Sequence, residues 1–192
     1  GTDAFQEVDT YGITVPITKH NYLVRTIGEL LEVIPAAFRI AASGRPGPVV
    51  VDVPKDVQLQ TIELDELPAP GTADPLLMPS RSDIEAVAAM IAEAKRPVLY
   101  IGGGVIASKG AAEAVRRVAE KAGIPTVSTL MGLGAVPSQH PLFFGMLGMH
   151  AAPYTNMILD ECDLLIAAGV RFDDRATGKV SQFCPTAKII HI

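Results

Sequence analysis

The chain has no tryptophan, only two cysteines in 192 residues, and 5% aromatic residues. It has no apolar run near the roughly 20 residues that a bilayer span needs, so no membrane association is expected. Basic residues are outnumbered, 16 Lys and Arg against 21 Asp and Glu for a net charge of −5, and they are scattered along the chain. The clustered positive charge that marks a nucleic-acid binder is missing. Cys162 and Cys184 stand in no CxxC or other metal-type spacing. They are expected to be reduced, partly buried thiols of a cytoplasmic protein, a disulfide between them being the lesser alternative. GxSxG, a P-loop lysine and paired catalytic carboxylates are also missing, so no catalytic residue is assigned. The chain opens on GTD, with neither an initiator Met nor a signal-peptide pattern, and closes on AKIIHI at 187–192, which reads as a strand cut in its middle. Both ends suggest a piece of a longer protein.

What is present is the material of a globular α/β protein: 48% hydrophobic and 19% charged residues. Residues 1–24 show no sustained period and read as loop and short irregular pieces, with Phe5, Gln6, Lys19, His20 and Asn21 as the polar or aromatic candidates. A helix is expected over about 28–43, kinked or restarted at Pro35 and ended by Gly44 as a left-handed cap. The β-branched run at 49–53 reads as a strand buried on both faces. Residues 61–80 are rich in Pro and acid and read as a semi-extended linker. Then a regular alternation begins. A capping box at Ser82 and Glu85 opens a helix to about Lys95, and strand 97–101 follows. Ser108 caps a helix to about Ala122, strand 124–128 comes next, then a helix over 153–161 and strands at 163–168 and 187–192. This β-α-β-α-β order argues a parallel sheet covered by helices on both sides. The expected organisation is α/β throughout: 1–60 as the C-terminal part of one α/β domain, 61–79 as linker, and 80–192 as a parallel-sheet domain flanked by helices.

In an open parallel sheet, ligands bind outside the carboxyl ends of the strands. Four groups of residues fall there. Gly102, Gly103 and Gly104 follow a strand and precede a helix; they form either a tight turn or a phosphate-cradling one, without the GxGxxG pattern. Thr129, Leu130 and Met131 either pack in the core, the reading composition favours, or offer an apolar edge to a flat heteroaromatic ring. Met149 and His150 lie in a glycine-rich loop, GMLGMH at 145–150. A lone His is usually a hydrogen-bonded structural residue, and with no second ligand at metal spacing a metal site is not assigned. RFDDR at 171–175 follows Gly169 and Val170. It is either a surface salt-bridge set or a recognition cluster. Arginines offer forked donors for phosphate and carboxylates accept from sugar hydroxyls, so pyrophosphate or ribityl recognition fits better than Mg²⁺ on Asp173 and Asp174, where the arginines would compete.

GTDAFQE at 1–7, TKHNYLV at 18–24, SGRPGP at 43–48 with DVPKD at 52–56, GMLGMH at 145–150 and RFDDR at 171–175 run in order through the chain. Together they resemble the large catalytic subunits of acetolactate (acetohydroxyacid) synthases, a family of thiamine-diphosphate enzymes. The resemblance implies three α/β domains: pyrimidine-binding, central and pyrophosphate-binding. It assigns 1–60 to the end of the first and 80–192 to most of the second, truncated at its C-terminal end. The implied reaction condenses two pyruvates, or pyruvate and 2-oxobutyrate, in branched-chain amino-acid biosynthesis. Thiamine diphosphate and Mg²⁺ carry the chemistry on ligands outside this chain, and FAD, without a net redox role, is held largely by the central domain. Implied FAD contacts are Arg45, Gly102, Gly103, Gly104, Thr129, Leu130, Met131, Met149, His150, Gly169, Val170, Arg171, Asp173 and Arg175. Phe5, Gln6 and Lys55 match positions bordering the substrate channel. A homo-oligomer of large subunits with a small regulatory subunit is the implied assembly.

The chain departs from the family at points that bear on activity. The thiamine-activating glutamate lies upstream in the family and the GDG-type metal motif downstream. The acidic residue at the adenosine end of FAD would follow Ile192, and Ala151 stands where the family has Gly. The 192-residue chain alone is therefore expected to lack synthase activity. The alternatives are the central domain of another thiamine-diphosphate carboligase or oxidase, or a stand-alone nucleotide-binding module.

Overall fold

The structure is a computed structural model that describes residues 4–192, so the first three residues of the GTDAFQE motif lie outside the described residues. The chain divides into two compact units, the first running to Met78 and the second spanning Pro79–Ile192.

In the first unit a short helix α1 (Thr10–Thr14) and a 3-10 turn (Val15–Ile17) lead into β1 (His20–Leu23), helix α2 (Ile27–Ala42), β2 (Val49–Asp52) and the short α3 (Lys55–Gln58). α1 and β1 occupy a stretch expected to be loop. β1 pairs in parallel with β2, His20 opposite Val49. The β2 residues are half-buried rather than buried on both faces, because β1 is their one strand neighbour among the described residues. The polar residues of TKHNYLV hold this frame. The buried Asn21 amide donates to the Tyr11 carbonyl (2.8 Å) and to Thr14 Oγ1 (3.0 Å). Lys19 Nζ donates to the carbonyls of Ile40 and Ser43 at 2.5 Å each, covering acceptors at the end of α2 that have no intrahelical partner.

α2 begins at Thr26, whose hydroxyl accepts from the Glu29 N–H (3.3 Å), while the Glu29 carboxylate accepts from the Arg25 N–H (2.7 Å). The helix runs unbroken through Pro35, so of the expected kink or restart the restart does not occur, and Gly44 follows its end at φ +52°. Residues 61–79 carry no regular structure, yet they are fastened to α2. Asp74 pairs with Arg39 (3.2 Å) and donates its N–H to Ser43 Oγ (2.8 Å). Gly71 lies so close to Pro35 that a Cβ would sit 1.7 Å from the Pro35 carbonyl oxygen.

The second unit contains α4 (Arg81–Glu93), β3 (Pro97–Ile101), α5 (Gly103–Ala107), α6 (Ala111–Ala122), β4 (Thr126–Ser128), β5 (Phe143–Met146), α7 (Pro153–Glu161), β6 (Leu164–Ala168), α8 (Asp174–Thr177) and β7 (Lys188–His191). The five strands form one all-parallel sheet in the order β5-β4-β3-β6-β7. On one face Leu99, Ile101, Leu164, Ile166 and Ile190 pack against the apolar stripes of α4 and α6. On the other, Val98, Tyr100, Val127, Leu165 and Ala167 pack against Leu159 and Ile158 of α7. Alternate residues of each strand serve opposite faces, and the central strands β3 and β6 are buried on both.

Several local expectations are corrected. The capping box is Ser80 with Asp83, two residues ahead of the one expected; Glu85 pairs with Arg81 instead (2.8 Å). Ser108 closes α5, and α6 starts after Gly110 in the left-handed region (φ +79°). β5 occupies residues expected to be loop. Both cysteines are free and fully buried. No helix among the described residues is long and apolar enough to cross a membrane.

Candidate functional site

With order β5-β4-β3-β6-β7, chain direction across the sheet reverses between β3 and β6. That pair is the topological switch point, where the connections leave in opposite directions and open a crevice at the carboxyl edge. Gly102–Gly104 follow β3 and Gly169–Val170 follow β6, so the glycines flank the switch point.

Backbone hydrogen bonds continue past the strand ends: the Gly102 N–H donates to Ala168 O (3.0 Å) and the Gly104 N–H to Gly169 O (2.9 Å). A Cβ on Gly102 would lie 2.4 Å from Gly169 O, one on Gly104 2.6 Å from Gly169 Cα, and one on Gly169, at φ +60°, 2.5 Å from Val105 N. The triple glycine is thus a tight turn in the first place. Its consequence is a carboxyl edge whose centre is bare backbone. On one side, Thr129 Oγ1 accepts from the Gly132 N–H (3.1 Å) and caps a 3-10 turn that lifts Leu130 and Met131 outward, 68% and 72% exposed. The core-packing reading of these two residues is overturned: the side chains lie above the sheet end, not inside it.

The loop after β5 carries Met149, 67% exposed, and His150, also exposed. Gly148 (φ +90°) is pressed against the RFDDR stretch, where a Cβ would stand 2.3 Å from Arg175 O, and the Met149 N–H donates to that same oxygen (3.2 Å). A groove of about 400 Å³ lies beside this junction, lined by Met149, Asn156, Asp160, Asp174, Arg175 and Lys179 among others.

Within RFDDR the carboxylates and arginines divide the work. Asp173 is the N-cap of α8: its Oδ1 accepts from the N–H groups of Arg175 (3.1 Å) and Ala176 (3.2 Å). Its Oδ2 accepts from Arg171 Nε at 3.2 Å. Asp173 is therefore engaged inside the turn, while both guanidinium groups are exposed. Phe172, at φ +52°, turns its ring inward, edge-on to Tyr100 (5.7 Å), Phe183 (6.2 Å) and His191 (5.1 Å). His191 Nε2–H donates to the Val170 carbonyl (3.1 Å), fastening the start of the turn to β7. Beneath lies Tyr100, buried with no hydrogen-bond partner for its hydroxyl, and its phenol is pushed up to about 12 by burial and then by the Asp173 charge.

The structure thus brings Gly102–Gly104, Thr129–Met131, Met149, His150, Gly169, Val170, Arg171, Asp173 and Arg175 to one edge of one sheet. Arg45 lies in the first unit, exposed in the turn after α2, as do Phe5 (exposed), Gln6 (φ +65°) and Lys55 at the start of α3. Among the described residues no group of three His, Cys, Asp or Glu could hold a metal ion. Reading the sequence did not single out Asn156, Tyr100 or His191. A polar side chain one turn into a helix that follows a glycine-rich loop is the signal that could have pointed to Asn156.

A parallel α/β sheet with a glycine-closed switch point is the architecture of nucleotide- and cofactor-holding domains. The family model for the thiamine pyrophosphate enzyme central domain matches residues 84–192, and the chain belongs to that family. Over its whole length it is 61% identical to the acetolactate synthase isozyme 1 large subunit of Escherichia coli (strain K12), covering 34% of that protein. It is also 52% identical to the acetolactate synthase of Mycobacterium leprae (strain TN) and 49% to a probable acetolactate synthase large subunit of Methanocaldococcus jannaschii, covering 31% and 33% of them. The chain spans about a third of the length of these relatives.

Proposed function

We propose that this chain is the end of the pyrimidine-binding domain and most of the central domain of an acetolactate synthase large subunit. The parent enzyme would work in the cytoplasm, as a homo-oligomer with a small regulatory subunit. It would join two pyruvates, or pyruvate and 2-oxobutyrate, into acetohydroxy acids. Thiamine diphosphate with Mg²⁺ would supply the carbanion chemistry from ligands outside this chain. The role of the second unit is to hold FAD across its carboxyl edge.

One observation carries the reading. The residues matched by resemblance on four separate loops converge on the switch-point edge, where bare glycine backbone lies among exposed apolar side chains and two exposed guanidinium groups. That donor set suits an amphiphilic dinucleotide. Arg171 and Arg175 would take pyrophosphate oxygens through forked N–H groups. Leu130, Met131 and Met149 would cover ring faces, and the glycines would let a ligand approach the main chain. Asp173 would act by aiming Arg171 rather than by direct contact. For the first unit the resemblance alone supports the proposal of Arg45 as an FAD residue and of Phe5, Gln6 and Lys55 as substrate-channel residues of the parent enzyme.

The test is a titration of the 192-residue chain with FAD, followed by quenching of flavin fluorescence, with thiamine diphosphate in parallel. Saturable FAD binding that weakens about tenfold in Arg171→Ala is expected, the loss of one charge-assisted contact, with no binding of thiamine diphosphate. A folded chain that binds no FAD, or binds it equally well without Arg171, would refute the assignment of the site.

A further inference from the structure

We infer that Asn156 is the positioning residue that fixes the Met149–His150 loop against Arg175; its value for FAD rests on the reading above. The loop that carries Met149 and His150 leaves β5 at Met146 and is held by α7, the helix that follows it. Two consecutive residues near the start of α7 grip it. Thr155, fully buried, donates its hydroxyl to Phe144 O (2.6 Å) inside β5. The next residue, Asn156, holds Gly148 from both sides of its main chain: Oδ1 accepts from the Gly148 N–H (3.1 Å) and Nδ2 donates to the Gly148 carbonyl (3.2 Å).

From Gly148 the connection continues without a gap. Gly148 meets Arg175 O with no side chain between them, and the Met149 N–H bonds that same oxygen. A side-chain amide on a helix thereby sets where the loop after β5 meets the turn after β6, which are the two pieces that carry Met149 and Arg175. The register matters because Gly148, at φ +90°, stays in a region that glycine enters freely but that a free loop would leave as readily.

The chemistry required at position 156 is narrow. The side chain must accept at one atom and donate at the next, at a fixed spacing, and only a carboxamide of this length does both. Asp keeps the acceptor for the Gly148 N–H but sets a second carboxylate oxygen against the Gly148 carbonyl. Leu keeps the size and loses both bonds. Because Asn156 is exposed on α7 and both its bonds go to one residue of the loop, substitution should loosen the loop and leave the sheet intact.

The test uses the 192-residue chain and its Asn156→Asp and Asn156→Leu variants, with two readouts. The first is amide hydrogen exchange. In Asn156→Leu the Gly148 amide loses its acceptor and should exchange about tenfold or more faster; in both variants the Met149 amide, whose bond to Arg175 O depends on where the loop is held, should also exchange faster, while the β6 amides keep their protection. Unchanged exchange at 148 and 149, or equal loosening of β6, would overturn the inference. The second is FAD affinity by flavin quenching, expected to fall about tenfold in both variants with no change in the circular dichroism of the sheet. If wild type binds FAD and the variants bind it equally, the role toward the ligand is wrong even where exchange changes. If wild type binds no FAD, the functional reading fails and the exchange result alone decides the positioning.

Discussion

Replacing Gly169 by alanine should damage the second unit far more than the same change at Gly123, although the two backbones are nearly alike. Gly169 has φ +60° and Gly123 φ +64°, so both substitutions force an L-residue into the left-handed region, at about 1 kcal/mol each. They differ in what surrounds the new methyl. Nothing lies within 4 Å of a Cβ on Gly123, whereas one on Gly169 would stand 2.5 Å from Val105 N and 2.8 Å from both Gly104 C and Gly104 Cα. Those are main-chain atoms of the β3–α5 turn, themselves tied by the Gly104 N–H bond to Gly169 O, so they cannot swing aside as a side chain would. Overpacking a rigid site typically costs about 1–3 kcal/mol, and the upper end applies here. Gly169→Ala should therefore lose about 4 kcal/mol against about 1 kcal/mol for Gly123→Ala, out of a total of about 5–15 kcal/mol for a domain of ordinary stability. Both positions lie in the second unit, so the assay must report on that unit. Hydrogen exchange of the buried β3 and β6 amides, calibrated by urea dependence, does so. A gap of about 3 kcal/mol corresponds to roughly a hundredfold loss of protection in Gly169→Ala relative to Gly123→Ala. Equal protection in the two variants would show that the switch-point turns are not in rigid main-chain contact, and the bare edge derived from that contact would go with it.

Tyr100→Phe should be neutral or stabilising by up to about 1 kcal/mol in urea unfolding near neutral pH, because the hydroxyl it removes is buried without a partner. It should also flatten the alkaline limb of the stability curve. With its pKa raised from 10.0 to about 12 in the fold, the phenol contributes stability that is complete below pH 10 and lost as the pH rises from there to 12, at most about 3 kcal/mol; a wild-type limb no steeper than that of the variant would contradict this. Asp163 accepts from the N–H groups of Lys95 (2.7 Å) and Arg96 (2.9 Å), and the first of these bonds does most to hold its carboxyl below the ordinary 3.8. Its contribution is present above that value and lost as pH falls through the lower, folded one. Asp163→Asn should lower Tm at pH 7 and unfold with a shallower acid limb, measured by thermal melts from pH 7 to pH 2.

The parts of the fold legible in the sequence are those where one signal dominates. PVLYI and LLIAA carry apolar residues at successive positions and lie between turn signals, which suits a strand covered on both faces, and they became β3 and β6 at the centre of the sheet. The stripe of Ile84, Val87 and Ile91 gave α4 its length, although its start was misplaced. Ser80 and Ser82 each precede an acid by three residues, and the pattern does not say which hydroxyl meets the helix end. The missed strands are short and at edges. β1 opens on His20 and Asn21, and β5 contains Gly145, so neither shows the β-branched alternation by which strands are read. What made them strands is pairing with β2 and β4, a tertiary fact. The edge that carries the candidate site was legible before any contact was, because a parallel sheet puts all its strand carboxyl ends on one edge; the switch point between β3 and β6 needed the strand order of the fold. Asn156 was passed over for the opposite reason: both its bonds go to the main chain of Gly148, eight residues away, and only its place one turn into a helix after a glycine-rich loop hints at them.

The acidic half of RFDDR has a task within the fold that its sequence pattern does not record. From sequence, a carboxylate beside an arginine at a strand end reads as an acceptor for sugar hydroxyls. In the fold, Asp173 accepts from two main-chain N–H groups of α8 and from Arg171 Nε. The pair with Arg171 is partly exposed and worth no more than about 1 kcal/mol as a salt bridge, so its consequence is directional. Binding through Nε leaves the two terminal nitrogens of the guanidinium, the pair that meets a phosphate side by side, and it fixes the plane in which they lie. Three of the roughly four acceptor positions of this carboxylate are taken by the turn and by Arg171, which leaves Oδ2 room for one further donor. An arginine already oriented loses less freedom on meeting an anion than a free one does. On the proposed reading Asp173 serves the edge by aiming Arg171, so Asp173→Asn should weaken FAD binding in flavin quenching, and in an Arg171→Ala background it should have no further effect; an undiminished effect there would refute a role through Arg171.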